Sequence, residues 1–294
     1  MTKSPVVRAF FDRPTGSLQY VMHDPDTMKG AIIDPVWNFD AASGATWTDS
    51  ADEILDHVRE QGIDVEWILD THPHADHFSA AVYLSEKLGG VPRAIGERVT
   101  EVQKLWAEIY NDADLPVDGS QWDRLFADGD EFTIGDIPVR VMLSPGHTLA
   151  SITYVAGDAA FVHDTLMFPS SGTSRADFPG GSSAELWDSL RAILDLPSET
   201  RLYVGHDYPE KKRQPNCMAT VAEHRLANIH VKDGIDRESF IARRDARDES
   251  LPLPDRMLYA LQVNIRGGRL PEADQDGRVF FRVPANRFEP KNAD

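Results

Sequence analysis

The chain has 294 residues, 41% of them hydrophobic and 27% charged, which is the composition of an ordinary globular protein long enough to bury a sizeable core. Thirty Lys and Arg against 48 Asp and Glu leave a formal net charge of -18, which repels phosphate backbones and argues against nucleic acid as a partner. A single cysteine, Cys217, excludes an intrachain disulfide. The start of the chain has no apolar run of signal length and no segment reaches the length of a membrane span, so the expected setting is the cytoplasm, away from any membrane.

In chain order, Val6 to Phe11, Leu18 to Met22 and Gly30 to Ile33 are short β-rich runs separated by turn chemistry at Pro14-Thr15-Gly16 and Asp24-Pro25-Asp26. They predict an antiparallel meander. Ser50 followed by Glu53 resembles a capping box opening a helix that runs to about Gly62. The apolar run Val65 to Asp70 reads as a buried strand, followed by helices over Ser79 to Leu88 and Glu97 to Tyr110. Further strands are expected at Ile137 to Leu143, Ser151 to Val155, Ala159 to Val162 and Leu202 to Val204, with Asp128-Gly129-Asp130 and Gly157-Asp158 as hairpin signals.

Two blocks of strands with helices between and after them predict an α+β protein, a two-sheet sandwich covered by helices on both outer faces. Residues 1–215 are expected to form the catalytic domain. Residues 216–294, helical and charged and then extended past Pro271 and Pro284, are expected to be an appendage packed on it.

Thr71-His72-Pro73-His74-Ala75-Asp76-His77 places three imidazoles and a carboxylate directly after the buried strand. Neutral imidazole and carboxylate suit a divalent first-row metal. His72 and His74 converge on one ion only if the backbone turns sharply, and Pro73 restricts itself and its predecessor in a way that helps. Three more strand-end sites have the same character: His147 in Ser144-Pro145-Gly146-His147-Thr148, Asp164 after Ala159 to Val162, and His206 in Gly205-His206-Asp207. Loops at strand ends on one edge of a sandwich can face a shared cleft, where ligands distant in sequence meet.

HxHxDH, then SPGHT, an Asp after a strand and GHD resemble the metallo-β-lactamase fold, an αββα sandwich with its metal cleft at one edge of the sheets. Ile33-Asp34-Pro35-Val36, Arg175-Ala176-Asp177-Phe178, Gly205-His206-Asp207-Tyr208 and Asn264-Ile265-Arg266-Gly267-Gly268 resemble, within it, the persulfide dioxygenases. The resemblance implies one ferrous ion per chain held by His72, His147 and Asp164. It also implies that His74, Asp76, His77 and His206, which match metal-binding positions of the dizinc hydrolases, stand behind those ligands and orient them. Glutathione persulfide and O2 are the implied substrates. Where family members usually have Gly before the ligating Asp, this chain has His163, expected to be a space-filling variant.

Glutathione carries two carboxylates, so on so acidic a chain the pocket requires a local cluster of cations. Lys211, Arg213 and Arg266 are the candidates, with Tyr208 as a hydroxyl donor, while Arg175 is expected to pair with a carboxylate and hold the metal loop. The competing reading is a dizinc hydrolase, such as a hydroxyacylglutathione hydrolase or a lactamase, since the ligands for two metals are all present. A nuclease is disfavoured by the charge, and a non-catalytic scaffold by the complete ligand set. Oligomeric state is open, a homodimer or larger homo-oligomer included.

Overall fold

The computed structural model describes residues 3–210 and 213–288. The meander forms as its turn chemistry predicts: β1 (Val6–Asp12), β2 (Ser17–His23) and β3 (Lys29–Ile33) pair antiparallel in order, with Val6 opposite His23 and Tyr20 opposite Ile33. Next come β4 (Val36–Asp40), β5 (Ala45–Trp47), α1 (Asp49–Gln61), β6 (Asp64–Leu69), β7 (Phe78–Ser79), α2 (Ala81–Lys87), β8 (Arg93–Gly96), α3 (Val99–Tyr110) and β9 (Arg124–Phe126). Strand β6 lies parallel to β3, as a strand reached through a crossover helix must. The first sheet has the order β1-β2-β3-β6-β8-β9.

The chain continues through β10 (Glu131–Ile134), β11 (Ile137–Leu143), β12 (Ile152–Ala156), β13 (Ala159–His163), α4 (Ser183–Leu194), β14 (Arg201–Val204) and β15 (Met218–Thr220), which form the second sheet in sequence order around α4. Helices α5 (Val221–Ala227), α6 (Arg237–Glu249) and α7 (Met257–Asn264) close the chain. This is the αββα sandwich of the metallo-β-lactamase fold. Strands β4, β5 and β7 make a small third sheet at the edge that carries the metal loop; β4 and β5 are too short and too polar to stand out by period alone.

Packing follows from which faces are apolar. Ile54, Leu55 and Val58 of α1 and Ala81 and Leu84 of α2 cover Val21, Ile32 and Ile68 on the outer face of the first sheet. The main core runs between the sheets, from Tyr20, Ile33 and Leu69 to Val139, Tyr154 and Phe161, and on to Leu186, Leu190 and Ile193 of α4.

Two expectations change. The capping box does not form at Ser50: its hydroxyl donates to Asp12 Oδ1 at 2.9 Å and accepts from Asn38 at 2.8 Å, so it is engaged across the fold, and the helix opens after Thr48. The box is realised instead by Thr220 and Glu223 at the start of α5. Residues beyond 215 also enter the sandwich, because β15 extends the second sheet beside β14, with Arg201 opposite Thr220. Beyond it, α6 packs on α4 through Phe240 and Trp187, ring centroids 5.3 Å apart, while α7 places Met257 and Leu261 against Trp106 of α3.

Ile68 is fully buried between the first sheet and its covering helices. Replacing it with Ala is expected to cost about 2 to 5 kcal/mol, read as a lower denaturation midpoint at unchanged m-value; a shift worth under about 1 kcal/mol would contradict this packing.

Candidate metal centre

Every candidate ligand leaves the C-terminal end of a strand on one edge of the sandwich. His72 to His77 follow β6, His147 follows β11, Asp164 follows β13 and His206 follows β14. Two glycines let these segments approach. Gly146, at φ 122°, passes α4 so closely that a Cβ would lie 2.2 Å from the Leu186 nitrogen, and a Cβ on Gly205 would lie 2.3 Å from Asp164 Oδ1.

The structure brings His72, His147 and Asp164 together: one ligand atom from each lies within 4.8 Å of the others. Asp164 Oδ2 is 3.9 Å from His72 Nε2, 3.6 Å from His147 Nε2 and 3.3 Å from His206 Nε2. His72 Nε2 and Asp164 Oδ1 are buried without a hydrogen-bond partner. Unpaired buried polar atoms are costly, and a divalent cation at their centre would satisfy both, so the donor set fits the metal that the sequence implies.

The imidazoles sort into two kinds. Burial and the neighbouring imidazoles hold His72 well below its ordinary pKa, and burial lowers His147 despite the nearby Asp164. Both are neutral near pH 7, as ligands must be. His147 donates from Nδ1 to the carbonyl of Arg175 at 2.9 Å, which leaves Nε2 for the ion. Burial also opposes charge on His74 and His206, but carboxylates prevail: Asp34, 3.0 Å from His74 Nε2, pushes it up to about 9, and Asp164 with Asp76 pushes His206 up to about 10. Asp76 accepts from Ser17 Oγ at 2.7 Å and lies 2.8 Å from His77 Nδ1. His74, Asp76 and His77 form a second convergent group, and Asp76, Asp164 and His206 a third.

His163 does more than fill space. It is buried, at φ 27°, a backbone region that favours glycine. Its Nδ1 accepts from the amide of Asp164, and its Nε2 faces Thr71 Oγ1 and, at 3.3 Å, Asp34 Oδ2. Burial pushes its pKa down to about 4 against the pull of Asp34. Asp34 therefore gathers His74, His163 and Thr71, whose amide donates to it at 2.8 Å. Its place in Ile33-Asp34-Pro35 gave no hint of that role, since the partners lie more than 30 residues away.

A cleft of about 550 Å³ opens beside Asp76, His147, Asp164 and His206. Tyr208 lines it, with its ring parallel to His206 at 5.8 Å. Arg175 lines it too, engaged by both oxygens of Asp177 at 2.6 and 2.9 Å and by the Pro252 carbonyl at 2.7 Å, with its guanidinium 4.8 Å from the centre of the Phe178 ring.

The expected cation cluster is placed otherwise. Arg266 does not line the cleft; its guanidinium pairs with Asp112 and donates to the Gln262 carbonyl. Arg213 is held bidentately by Asp207 at 2.7 and 2.9 Å, also off the cleft wall, and Lys211 lies outside the described residues. The arginines on the described wall are Arg175, Arg244 and Arg247. Arg243-Arg244-Asp245-Ala246-Arg247 is a visible basic run in the sequence, but on a helix whose four arginines are matched by four acidic residues it reads as a solvated face.

The family model described as the metallo-beta-lactamase superfamily matches residues 13–206. The chain belongs to that superfamily. It is 58% identical over 287 residues to a beta-lactamase hydrolase-like protein of Xylella fastidiosa, an alignment that covers 98% of this chain and 66% of that protein, so the chain spans just under two thirds of the relative's length. It is 41% identical to Glyoxylase B2 of Dictyostelium discoideum, covering 97% of this chain and 99% of that one. It is 26% identical to the mitochondrial persulfide dioxygenase ETHE1 of Bos taurus, with 90% and 89% covered. Among solved structures, ETHE1 from Myxococcus xanthus superposes with a TM-score of 0.71 at 29% identity, covering 90% of this chain and all of that one.

Asn264 is a residue whose work shows only in three dimensions. Its side-chain nitrogen donates to the carbonyls of both His74 and His77 at 2.7 Å, and its oxygen accepts from the Ser79 amide at 2.8 Å. Asn264→Ala is expected to leave the fold assembled but weaken divalent-metal binding by about 10-fold to 100-fold, measured by competition with a chelator. Wild-type affinity would show that the loop holds its shape without Asn264.

Proposed function

We propose that the chain is a persulfide dioxygenase, which oxidises glutathione persulfide with O2 at one ferrous ion held by His72, His147 and Asp164. The observation that carries the reading is the convergence of two neutral imidazoles and one carboxylate beside an open cleft, with unpartnered ligand atoms on His72 and Asp164. A two-histidine, one-carboxylate set leaves positions open for more than one exogenous ligand. Likeness to ETHE1 over nine-tenths of the chain supports the choice of reaction.

Ferrous iron bound there would supply the redox chemistry that lets O2 react with a sulfur anion. The residues do the rest. Arg175 fixes the His147 tautomer through its carbonyl while Asp177 holds its guanidinium. Asp164, held low by its histidine neighbours against the effect of burial, stays ionised. Phe178, edge-on to His147 with centroids 5.2 Å apart, and Met167 give the cleft an apolar wall that strips water from the sulfur end of a substrate. In the overall reaction both atoms of O2 pass to the terminal sulfur. Water then cleaves the sulfur–sulfur bond, so that one persulfide, one O2 and one water yield glutathione, sulfite and two protons.

A dizinc hydrolase is the second reading, favoured by the convergent His74, Asp76 and His77 and by the hydrolase-like name of the Xylella relative. Elemental analysis of anaerobically purified protein together with oxygen uptake decides between them. About one iron per chain and persulfide-dependent uptake are expected; two zinc ions and thioester cleavage would give the assignment to the hydrolases. His72→Ala and Asp164→Ala are each expected to abolish uptake with the circular dichroism spectrum preserved, and activity in either variant would remove that residue from the ligand set.

A further inference from the structure

The proposed reaction uses only the metal end of the cleft. At another part of the wall, α6 sets Arg244 and Arg247 beside the segment that carries Thr173 and Ser174. Arg244 is 3% exposed; it bonds Asp248 Oδ1 and the Thr173 carbonyl, yet its Nε is buried with no partner. Arg247 is exposed, lines the cleft and has no carboxylate partner among the described residues. Elsewhere Arg213, Arg225, Arg237, Arg266 and Arg278 each pair with an aspartate. On a chain of charge -18, an unneutralised guanidinium facing a cavity is a specific feature.

His230 stands beside these arginines. Its Nδ1 accepts from the Thr173 amide at 3.0 Å, so Nε2 carries the proton and is a donor. Burial and then Arg244, Arg247 and Arg243 push its pKa down to about 4, a sign of positive potential here against the sign of the whole chain. Ile229, 46% exposed, and Leu251 add apolar surface to the same wall.

We propose that Arg247 and the Nε2–H of His230, with the Arg244 charge beneath them, form an anion subsite that takes a carboxylate at the end of the substrate remote from its sulfur. The choice of carboxylate rests on the persulfide dioxygenase reading, because glutathione carries two. Arg offers a forked donor that matches carboxylate geometry. Arg175 lines the cleft as well, but Asp177 already occupies its fork, which leaves Arg247 as the guanidinium able to bind a new anion.

The test is calorimetric titration of glutathione and of glutathione diethyl ester, which lacks free carboxylates, into anaerobic iron-loaded wild type, Arg247→Ala and Arg247→Glu. Arg247 is exposed, so neither change should disturb folding. Arg247→Ala is expected to weaken glutathione binding by about tenfold or more and Arg247→Glu further, with the ester changed by less than about twofold. Equal losses for both ligands, an unchanged glutathione affinity in Arg247→Ala, or no glutathione binding by wild type would each overturn the subsite. Sulfite release from glutathione persulfide by wild type is scored separately. No sulfite together with the expected binding pattern leaves the subsite standing and removes the dioxygenase reading, whereas sulfite with unaltered Arg247→Ala binding does the reverse.

Discussion

The structure depends on keeping a group of imidazoles and carboxylates buried at one edge of a sandwich without leaving any charge uncompensated. Isolated charges are expensive in a low-dielectric interior, so each carboxylate is shared among several partners. Asp34 serves His74, His163 and Thr71; Asp76 serves Ser17, His77 and His206; Asp164 faces His72, His147 and His206. The protonation pattern follows from that sharing. Carboxylates raise His74 and His206 despite burial, whereas burial lowers His72, His147 and His163, the last two against the pull of Asp164 and Asp34.

That arrangement requires strand ends to meet. The first sheet delivers the metal loop through β6, and the second delivers His147, Asp164 and His206 through β11, β13 and β14. The two sets face each other because the sheets pack through a shared core of Ile33, Leu69, Val139 and Phe161. Asn264 of α7 then ties the metal loop from behind, so a helix late in the chain determines the shape of a loop 190 residues earlier. The C-terminal helices are thus part of the site: α7 supports its floor, and α6 supplies two cations to its wall.

The sharing also bears on chemistry. In the apoprotein the second group, His74, Asp76, His77 and His206, is held together by hydrogen bonds and opposite charges among its own members and Asp34. Unpartnered buried atoms remain in both groups, on His72 and Asp164 in the first and on His74, His77 and His206 in the second. Both sets therefore keep donor atoms for a cation, and in the second an ion would also compete with existing pairings.

The meander, the ligand types and their positions at strand ends were legible in the sequence, because period-two runs, Pro and Gly turns and the HxHxDH loop are local patterns. The small sheet of β4, β5 and β7 was not, since short strands carry little period. Nor were the partners of the long side chains. Arg266 and Arg247 look alike as sequence, yet Asp112 neutralises one and the other faces the cleft; Ser50 looked like a cap until Asp12 took its hydroxyl; His163 looked like filler until Asp34 and Thr71 closed around it. Residue chemistry and local turns are set by neighbours in the chain, so the sequence alone determines which groups can bind a metal and where strands end. A side chain's partner is set by contacts tens to hundreds of residues away, so only tertiary structure decides which cations are spent on ion pairs and which remain for a ligand.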